Sequence, residues 1–451
     1  MHRLYEDAAY DTSAWPTSHW RASLPAPPPA EPLHGLVKTD VAVIGAGYAG
    51  LNAALELAQR HGASVTVLEA GQPGWGASGR NGGFCCLGGA HLSHGKIVSR
   101  VGAGGARDFR DFQHRAIEHV ADLLQEYSID ARQGPEGEVC IAHSPRALAG
   151  LKAEAAAVRT LYGEEAEILP GAELAERGLS GEGFCGALMT PVGFPIHPLA
   201  YAEGLARAAE RAGAQVFGGS PVTGLVPEGE GWRLTTPGGV LLARRVLIAT
   251  NGYSSEDLPP WIGGRTLPAQ SAVLVTRPLS AAEKRAQGFT TPLMSYDSRN
   301  LLHYFRHLPD GRFLFGMRGG ASAAPEAQRR NARRVHEEFA RIFPAWAEIE
   351  ATSEWFGFVC LTGSLAPYVG PVPGAPGLFA TFGWHGNGVA PASLGGRLAG
   401  QLISGMPTAV PALMRQVPKR FPLPPLRRVW LRMGYVSRAL RDGPLPPAKR
   451  V

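Results

Sequence analysis

The sequence predicts an α/β protein in which a discontinuous parallel-sheet domain holds an inserted domain built on a mixed or antiparallel sheet. Three observations predict it. A buried strand, a glycine turn, a helix and a second strand follow one another between Asp40 and Glu69. Residues 269–277 and 300–318 alternate as antiparallel strands do. A late strand at 377–382 and a late helix at 391–404 then return to the style of the beginning. Strands that pair early and late around an antiparallel block describe one domain inserted into another.

Length and composition agree. The 451 residues allow two or three domains, and 45% hydrophobic with 18% charged residues is a globular mix. Gly (58) and Pro (38) are abundant without a three-residue period, which excludes collagen. The net charge of +6 is unevenly placed: residues 407–451 hold ten Lys or Arg against one acid, Asp442, which leaves −3 over the first 406. A near-neutral body excludes a nucleic-acid grip, and only the tail could seek an anionic partner. Five cysteines without a C-x-x-C pair argue against a disulfide framework or a metal site. The N-terminus lacks the apolar core of a signal peptide and no 18-residue apolar run exists, so the expectation is a soluble, cytoplasmic protein.

Taken in order, residues 1–39 form a Pro-rich arm denied regular structure by Pro25, Pro27, Pro28, Pro29 and Pro32. A buried strand at 40–44 runs into the turn Gly45-Ala46-Gly47-Tyr48-Ala49-Gly50, a helix to about Arg60 follows, and 64–69 is the next strand. Helices are expected at 106–127, 146–162, 198–212 and 329–343, and further strands at 214–217, 222–226, 232–235 and 240–249.

Gly45, Gly47 and Gly50 make G-x-G-x-x-G between strand and helix, the Rossmann-type signature. The glycines give a tight turn, close approach to a pyrophosphate and close helix–strand packing. The helix N-terminus offers unpaired N–H groups to phosphate. Glu69, followed by Ala70, ends the second strand 19 residues after Gly50, placed to accept from a ribose. A long small-residue loop comes next, with Gly76, Ala77, Ser78, Arg80, Asn81, Gly82 and Gly83, where a nicotinamide domain usually proceeds to a helix. Such a loop can wrap an extended cofactor with its backbone N–H groups.

Together with three later segments, 194–198, 247–253 and 383–389, these motifs resemble the glycine/D-amino-acid oxidase superfamily of FAD-dependent oxidoreductases, in particular its γ-glutamylputrescine oxidase-like branch. The resemblance covers about residues 40–406. It implies an FAD-binding domain at 40–130, 195–260 and 355–406, a substrate domain at 131–194 and 261–354, and a basic tail at 407–451. It implies FAD, oxidation of a C–N bond of an amine or amino acid to an imine, and hydride transfer to flavin N5. Val222 matches a residue that meets adenine, Thr250, Asn251 and Gly252 close the strand that returns to the cofactor, and Gly386, Asn387, Gly388 and Val389 point a helix N-terminus at the flavin. The loop around Ser78 lacks the Ser-His pair used for covalent flavin in some relatives, and Cys360 lies too near the following Pro-x-Val-Gly to match another attachment site, so non-covalent binding is expected. Ser364 stands where relatives often carry Asp.

Pocket residues are expected from two strands and the last glycine turn. Tyr304 and Arg306 share one strand face, and either Arg306 or Arg318 could pair with a substrate carboxylate. His385 lies in the turn beside the flavin; Tyr304, Arg306 and His385 are therefore the catalytic candidates. His197, Cys85 and Cys86 read as structural. Other readings of the chain stay open: a hydroxy-acid dehydrogenase, or a flavin-carrying electron-transfer subunit. The acceptor is oxygen or a quinone or electron carrier. Leu314 matches the place of a lysine that promotes reaction with oxygen in relatives, which implies slow reoxidation by oxygen. In the tail, Leu426, Val429, Trp430, Met433, Val436 and Leu440 recur at helical spacing among arginines. The favoured expectation is that this stripe packs on the body; peripheral contact with a membrane is the alternative.

Overall fold

The computed structural model describes residues 2–447. Two eight-stranded sheets organise it. The first has a parallel core in the order Leu378–Phe382, Gly239–Ile248, Gly35–Ile44, Val65–Leu68 and Gln215–Phe217, with Tyr368–Pro371 antiparallel at one edge. Residues 41–44 and 65–68 are buried throughout, as strands covered on both faces must be. Helices Tyr48–His61, Pro198–Arg211 and Val389–Ser404 cover this sheet.

The second sheet runs Ala351–Thr362, Thr266–Thr276, Phe313–Arg318, His303–His307, Met294–Asp297, Glu138–Ala142, Gly186–Thr190 and Glu167–Pro170. It is antiparallel except where Met294–Asp297 runs parallel to Glu138–Ala142, so it is mixed. Its outer face packs on helix Pro325–Ile342 around Phe305, Phe313, Phe315, Phe339 and Phe343.

Three boundaries differ from expectation. The first strand begins at Gly35, not 40, because Gly35–Thr39 pair in register with Gly239–Ala243. Residues 355–362 belong to the second sheet, since Ala351–Thr362 pairs along Thr266–Thr276. The arm is not featureless: it carries a short helix, His19–Ala22, whose Trp20 is buried with Leu199, Leu314 and Trp355. Four aromatics in the arm's first 20 residues (Tyr5, Tyr10, Trp15, Trp20) were the available signal that it packs.

The tail forms the expected helix, Arg427–Asp442, but docks by the other face. Arg427 and Leu431 are buried, whereas Val429, Met433, Val436 and Leu440 are exposed. Lys449 and Arg450 of the basic tail lie outside the described residues.

Candidate active site

Four neighbouring strands of the first sheet end at Ile44, Leu68, Ile248 and Phe382, and the segments that follow them line one cavity of about 340 Å³. Ligands of open α/β sheets bind at this carboxyl edge. Gly45 takes φ +106°, open to glycine and strained for other residues. A Cβ on Gly50 would lie 1.9 Å from the Gly45 carbonyl oxygen, so this glycine packs helix on strand and does not line the cavity. Gly47, Tyr48 and Ala49 do line it. The N–H of Tyr48 donates to Ser78 Oγ at 3.0 Å.

The Glu69 carboxylate accepts from the N–H of Ala46 (2.8 Å) and of Gly71 (2.9 Å). Burial raises its pKa, and those N–H donors oppose the rise. Glu69 lines the cavity beside Ala70 and Val222, and its carboxylate retains acceptor capacity beyond these N–H groups. The next loop closes a wall. Asn81 Nδ2 donates to the carbonyls of Ala77 (3.1 Å) and Ser78 (2.9 Å), and Asn81 Oδ1 accepts from Gly83 N–H (2.8 Å). Arg80 donates to the Trp75 carbonyl (2.8 Å) and lies 4.0 Å from the Trp75 ring centroid. Gly76, Ala77, Ser78, Arg80, Asn81 and Gly82 all face the cavity. Gly83 does not: its φ is +74° and an added Cβ would strike the Ile196 carbonyl, so it serves the turn.

The N-terminus of helix Val389–Ser404 also opens on the cavity, presenting Gly386, Asn387, Gly388 and Val389. This helix crosses Tyr48–His61 closely: a Cβ on Gly396 would lie 2.1 Å from the Ala49 carbonyl oxygen. The crossing brings two helix N-termini, both favourable to negative charge, to one cavity. Thr250 and Asn251 line it, with Asn251 Oδ1 accepting from Gly383 N–H at 2.9 Å. Gly252 faces away, toward Phe358 and Cys360.

His385 lines the cavity with both ring nitrogens engaged. Nε2 accepts from Thr362 N–H (3.2 Å), so Nδ1 carries the hydrogen and donates to the Gly89 carbonyl (2.9 Å). Burial pulls its pKa down to about 3. It is a neutral strap that holds the last glycine turn, not a proton acceptor. Ser364 lies outside the cavity lining; its hydroxyl sits 3.1 Å from Thr362 Oγ1, in the turn that supports this strap. His197 caps helix Pro198–Arg211, Nδ1 accepting from Ala200 N–H at 3.1 Å.

The second sheet supplies the opposite wall. Ser271 pairs with Arg318, and Gly316 with Tyr304. Directly paired residues share a face, as do residues two apart, so Ser271, Arg318 and Tyr304 point the same way. All three line the cavity. The Tyr304 ring lies across Gly316, where a Cβ would be 2.1 Å from the ring, and its hydroxyl is 2.9 Å from Ser271 Oγ. Arg318 donates to the His385 carbonyl (3.0 Å), and no described carboxylate pairs with it. Burial lowers its pKa, with Tyr435 and Tyr304 opposing.

Arg306, expected in this wall, is displaced from it. It shares the face of Tyr304 but lies two residues, roughly 7 Å, further along the strand. There it is buried beneath the loop, donating from Nε to the Gly82 carbonyl (2.9 Å) and from Nη2 to the Ile196 carbonyl (2.6 Å). It braces the loop. Leu314, on the same face, packs with Trp20, Leu199 and Trp355 and does not line the cavity, so the acceptor argument drawn from that position fails.

The arm closes the cavity with Arg3, Tyr10 and Thr12, residues that sequence reasoning did not place there; its aromatics were the signal that it packs, not where. Cys86 also lines it, with its thiol pushed up by burial, and so does Cys360, pushed up to about 12. Both are neutral thiols.

The residues fit FAD. A glycine-bearing helix N-terminus suits the pyrophosphate, Glu69 can accept from a ribose, and a second helix N-terminus opens on the same cavity for a flavin that turns anionic on reduction. The comparisons agree. The probable oxidoreductase OrdL of Rhizobium meliloti is 31% identical over 406 residues, 90% of this chain and 92% of the relative. The gamma-glutamylputrescine oxidoreductase of Escherichia coli is 29% identical over 437 residues, 94% and 98% of the two chains. The crystal structure of glycine oxidase from Geobacillus kaustophilus superposes with a TM-score of 0.68 at 22% identity, covering 84% of this chain and 100% of that one, and so shares its fold. Residues 40–402, from the first-sheet strand to the helix beside the last glycine turn, match the family described as FAD dependent oxidoreductase, and the chain belongs to that family of FAD-dependent oxidoreductases.

Proposed function

We propose that the chain oxidises the C–N bond of an amine or amino acid that carries a carboxylate, and that Arg318 holds that carboxylate. The observation that carries this reading is a half-buried, cavity-facing guanidinium with no described carboxylate partner, beside the glycine turn at 386–388. A guanidinium fork matches a carboxylate bidentately, and burial strengthens the pair. FAD, when bound, would supply the chemistry by taking a hydride from the carbon that bears nitrogen, leaving an iminium ion that gives the imine on losing its N–H proton to water.

The chain contributes position and charge. Arg318 and the Tyr304 hydroxyl fix one end of the donor, and the Gly82 and Gly386 loops confine the other. His385 is neutral and fully engaged, so it holds no proton for the reaction. The cation of Arg318 favours the neutral, reactive form of a nearby amine by like-charge repulsion. Two names among the relatives agree with the chemistry: glycine and gamma-glutamylputrescine both carry a carboxylate.

Anaerobic bleaching of the bound flavin tests the proposal with matched donors. Gamma-glutamylputrescine should be compared with putrescine, and glycine with methylamine. At least one carboxylated donor is expected to reduce the flavin much faster than its partner. Equal or faster reduction by the donors without a carboxylate refutes it.

A further inference from the structure

The C-terminal helix Arg427–Asp442 is fixed to the body by one face and leaves the opposite face bare. On the inner face, Arg427 pairs with Glu256 and donates to the Thr266 carbonyl at 3.0 Å. Leu431 is buried with Leu267 and Ala269. The Asp442 carboxylate accepts from the N–H groups of Asn300 (2.8 Å) and Leu301 (3.0 Å). At the helical angle per residue, 427, 431, 435, 438 and 442 form one face, and 426, 429, 433, 436 and 440 the opposite one, with Trp430 at its edge.

The outer face is apolar and wet. Met433 is 57%, Val436 63% and Leu440 78% exposed. Seven of the eleven large apolar side chains exposed among the described residues lie between Leu423 and Leu440. A contiguous patch of this kind marks an interaction surface rather than ordinary scatter. Exposed bases accompany it in sequence: Arg432 and Arg441 lie on the helix, and Arg415, Lys419 and Arg420 come just before it. No acid occurs between 407 and 441, and Asp442 is turned inward.

We propose that this helix lies on an anionic lipid bilayer, with Val429, Met433, Val436 and Leu440 in the acyl boundary and the arginines among the headgroups. Charge decides for lipid over a second copy of the chain. A self-contact through the stripe would set the exposed arginines of one copy against those of the other, whereas an anionic surface complements both stripe and arginines. Each base near such a surface strengthens binding by about fivefold. The inner-face residues Tyr435 and Arg438 lie near Arg318, so a docked helix would hold the substrate cavity close to the membrane.

The test uses the full-length FAD-loaded protein and sedimentation with vesicles of phosphatidylcholine, with and without phosphatidylglycerol. Binding to the mixed vesicles is expected, weakening as salt rises. The double variant Val436→Glu with Leu440→Glu should keep its FAD and thermal midpoint, because both side chains are solvent-facing, and lose about tenfold or more in vesicle partition. Arg432→Glu with Arg441→Glu should lose binding to the mixed vesicles in the same way. No sedimentation of the wild type with mixed vesicles overturns the proposal, as does unchanged partition of the Val436→Glu, Leu440→Glu variant. A wild-type dimer that this variant turns monomeric, without vesicle binding, would assign the stripe to a second copy and overturn it too.

Discussion

Gly316 shows how a missing side chain shapes the site. The Tyr304 ring occupies the space where its Cβ would be, so the phenol and Arg318, two residues further along on the same face, both line the cavity. The consequence is measurable at Arg318. Arg318→Leu keeps an apolar stem and removes a half-buried cation that donates to the His385 carbonyl, so the fold should survive. For a carboxylated donor, kcat/KM is expected to fall by about 10²–10³-fold, the scale of a lost charge-assisted bidentate contact. Arg318→Lys should recover part of that loss. An unchanged kcat/KM in Arg318→Leu would remove the residue from substrate binding.

At the scale of elements, the strand His303–His307 divides its labour between two faces. Tyr304 faces the cavity, while His303 faces helix Pro325–Ile342 and sits between Asp297 (2.5 Å) and Glu338 (2.6 Å). Burial opposes its charge, but the two carboxylates outweigh burial and raise its pKa to about 9. A histidine whose folded pKa lies above its unfolded value of about 6.5 stabilises fully below that value and loses its contribution as pH rises through the folded one. Stability to urea should therefore fall between about pH 6.5 and pH 9, by an amount on the order of 3 kcal/mol. In His303→Gln that pH-dependent loss should disappear, with lower stability throughout. A wild-type profile flat across this window would show that the histidine is not charged in the folded protein.

Over the whole molecule, the cavity is closed by parts of the chain far apart in sequence. Arg3 donates to the Tyr253 carbonyl, and the Tyr10 ring lies 6.4 Å from Tyr253 and 5.7 Å from Phe358. The arm is itself tied down by Glu6, which accepts from Ala323 N–H (2.7 Å) and pairs with Arg428 of the tail. Removing residues 1–13 should leave both sheets folded, since neither uses those residues, and should weaken FAD retention by about tenfold through the loss of one cavity wall. Dialysis followed by the flavin absorbance ratio measures it. Retention equal to that of the full chain would mean that the arm only covers the surface.

What the sequence determined by itself is local. The turn at Gly45–Gly50, Glu69 at a strand end and the glycines at 386–388 declare their geometry because helix N-termini, tight turns and buried parallel strands each need particular residues at fixed spacing. The antiparallel block followed from the alternation at 269–277 and 300–318, whereas the parallel pair of Met294–Asp297 with Glu138–Ala142 that makes the sheet mixed did not show in the periodicity. Tertiary structure decided everything that depends on register or on which of two faces meets a neighbour. Periodicity put Tyr304 and Arg306 on one face, but the position of the loop at Gly82 separated them, sending Arg306 to backbone carbonyls and leaving Arg318 to the cavity. It likewise found the apolar stripe of the last helix, yet could not say which face docks: buried Arg427 and inward Asp442 are charges whose partners, Glu256 and the N–H groups of Asn300 and Leu301, lie more than a hundred residues away. A charged side chain goes inside only where such a partner waits, and spacing along the chain carries no record of that partner.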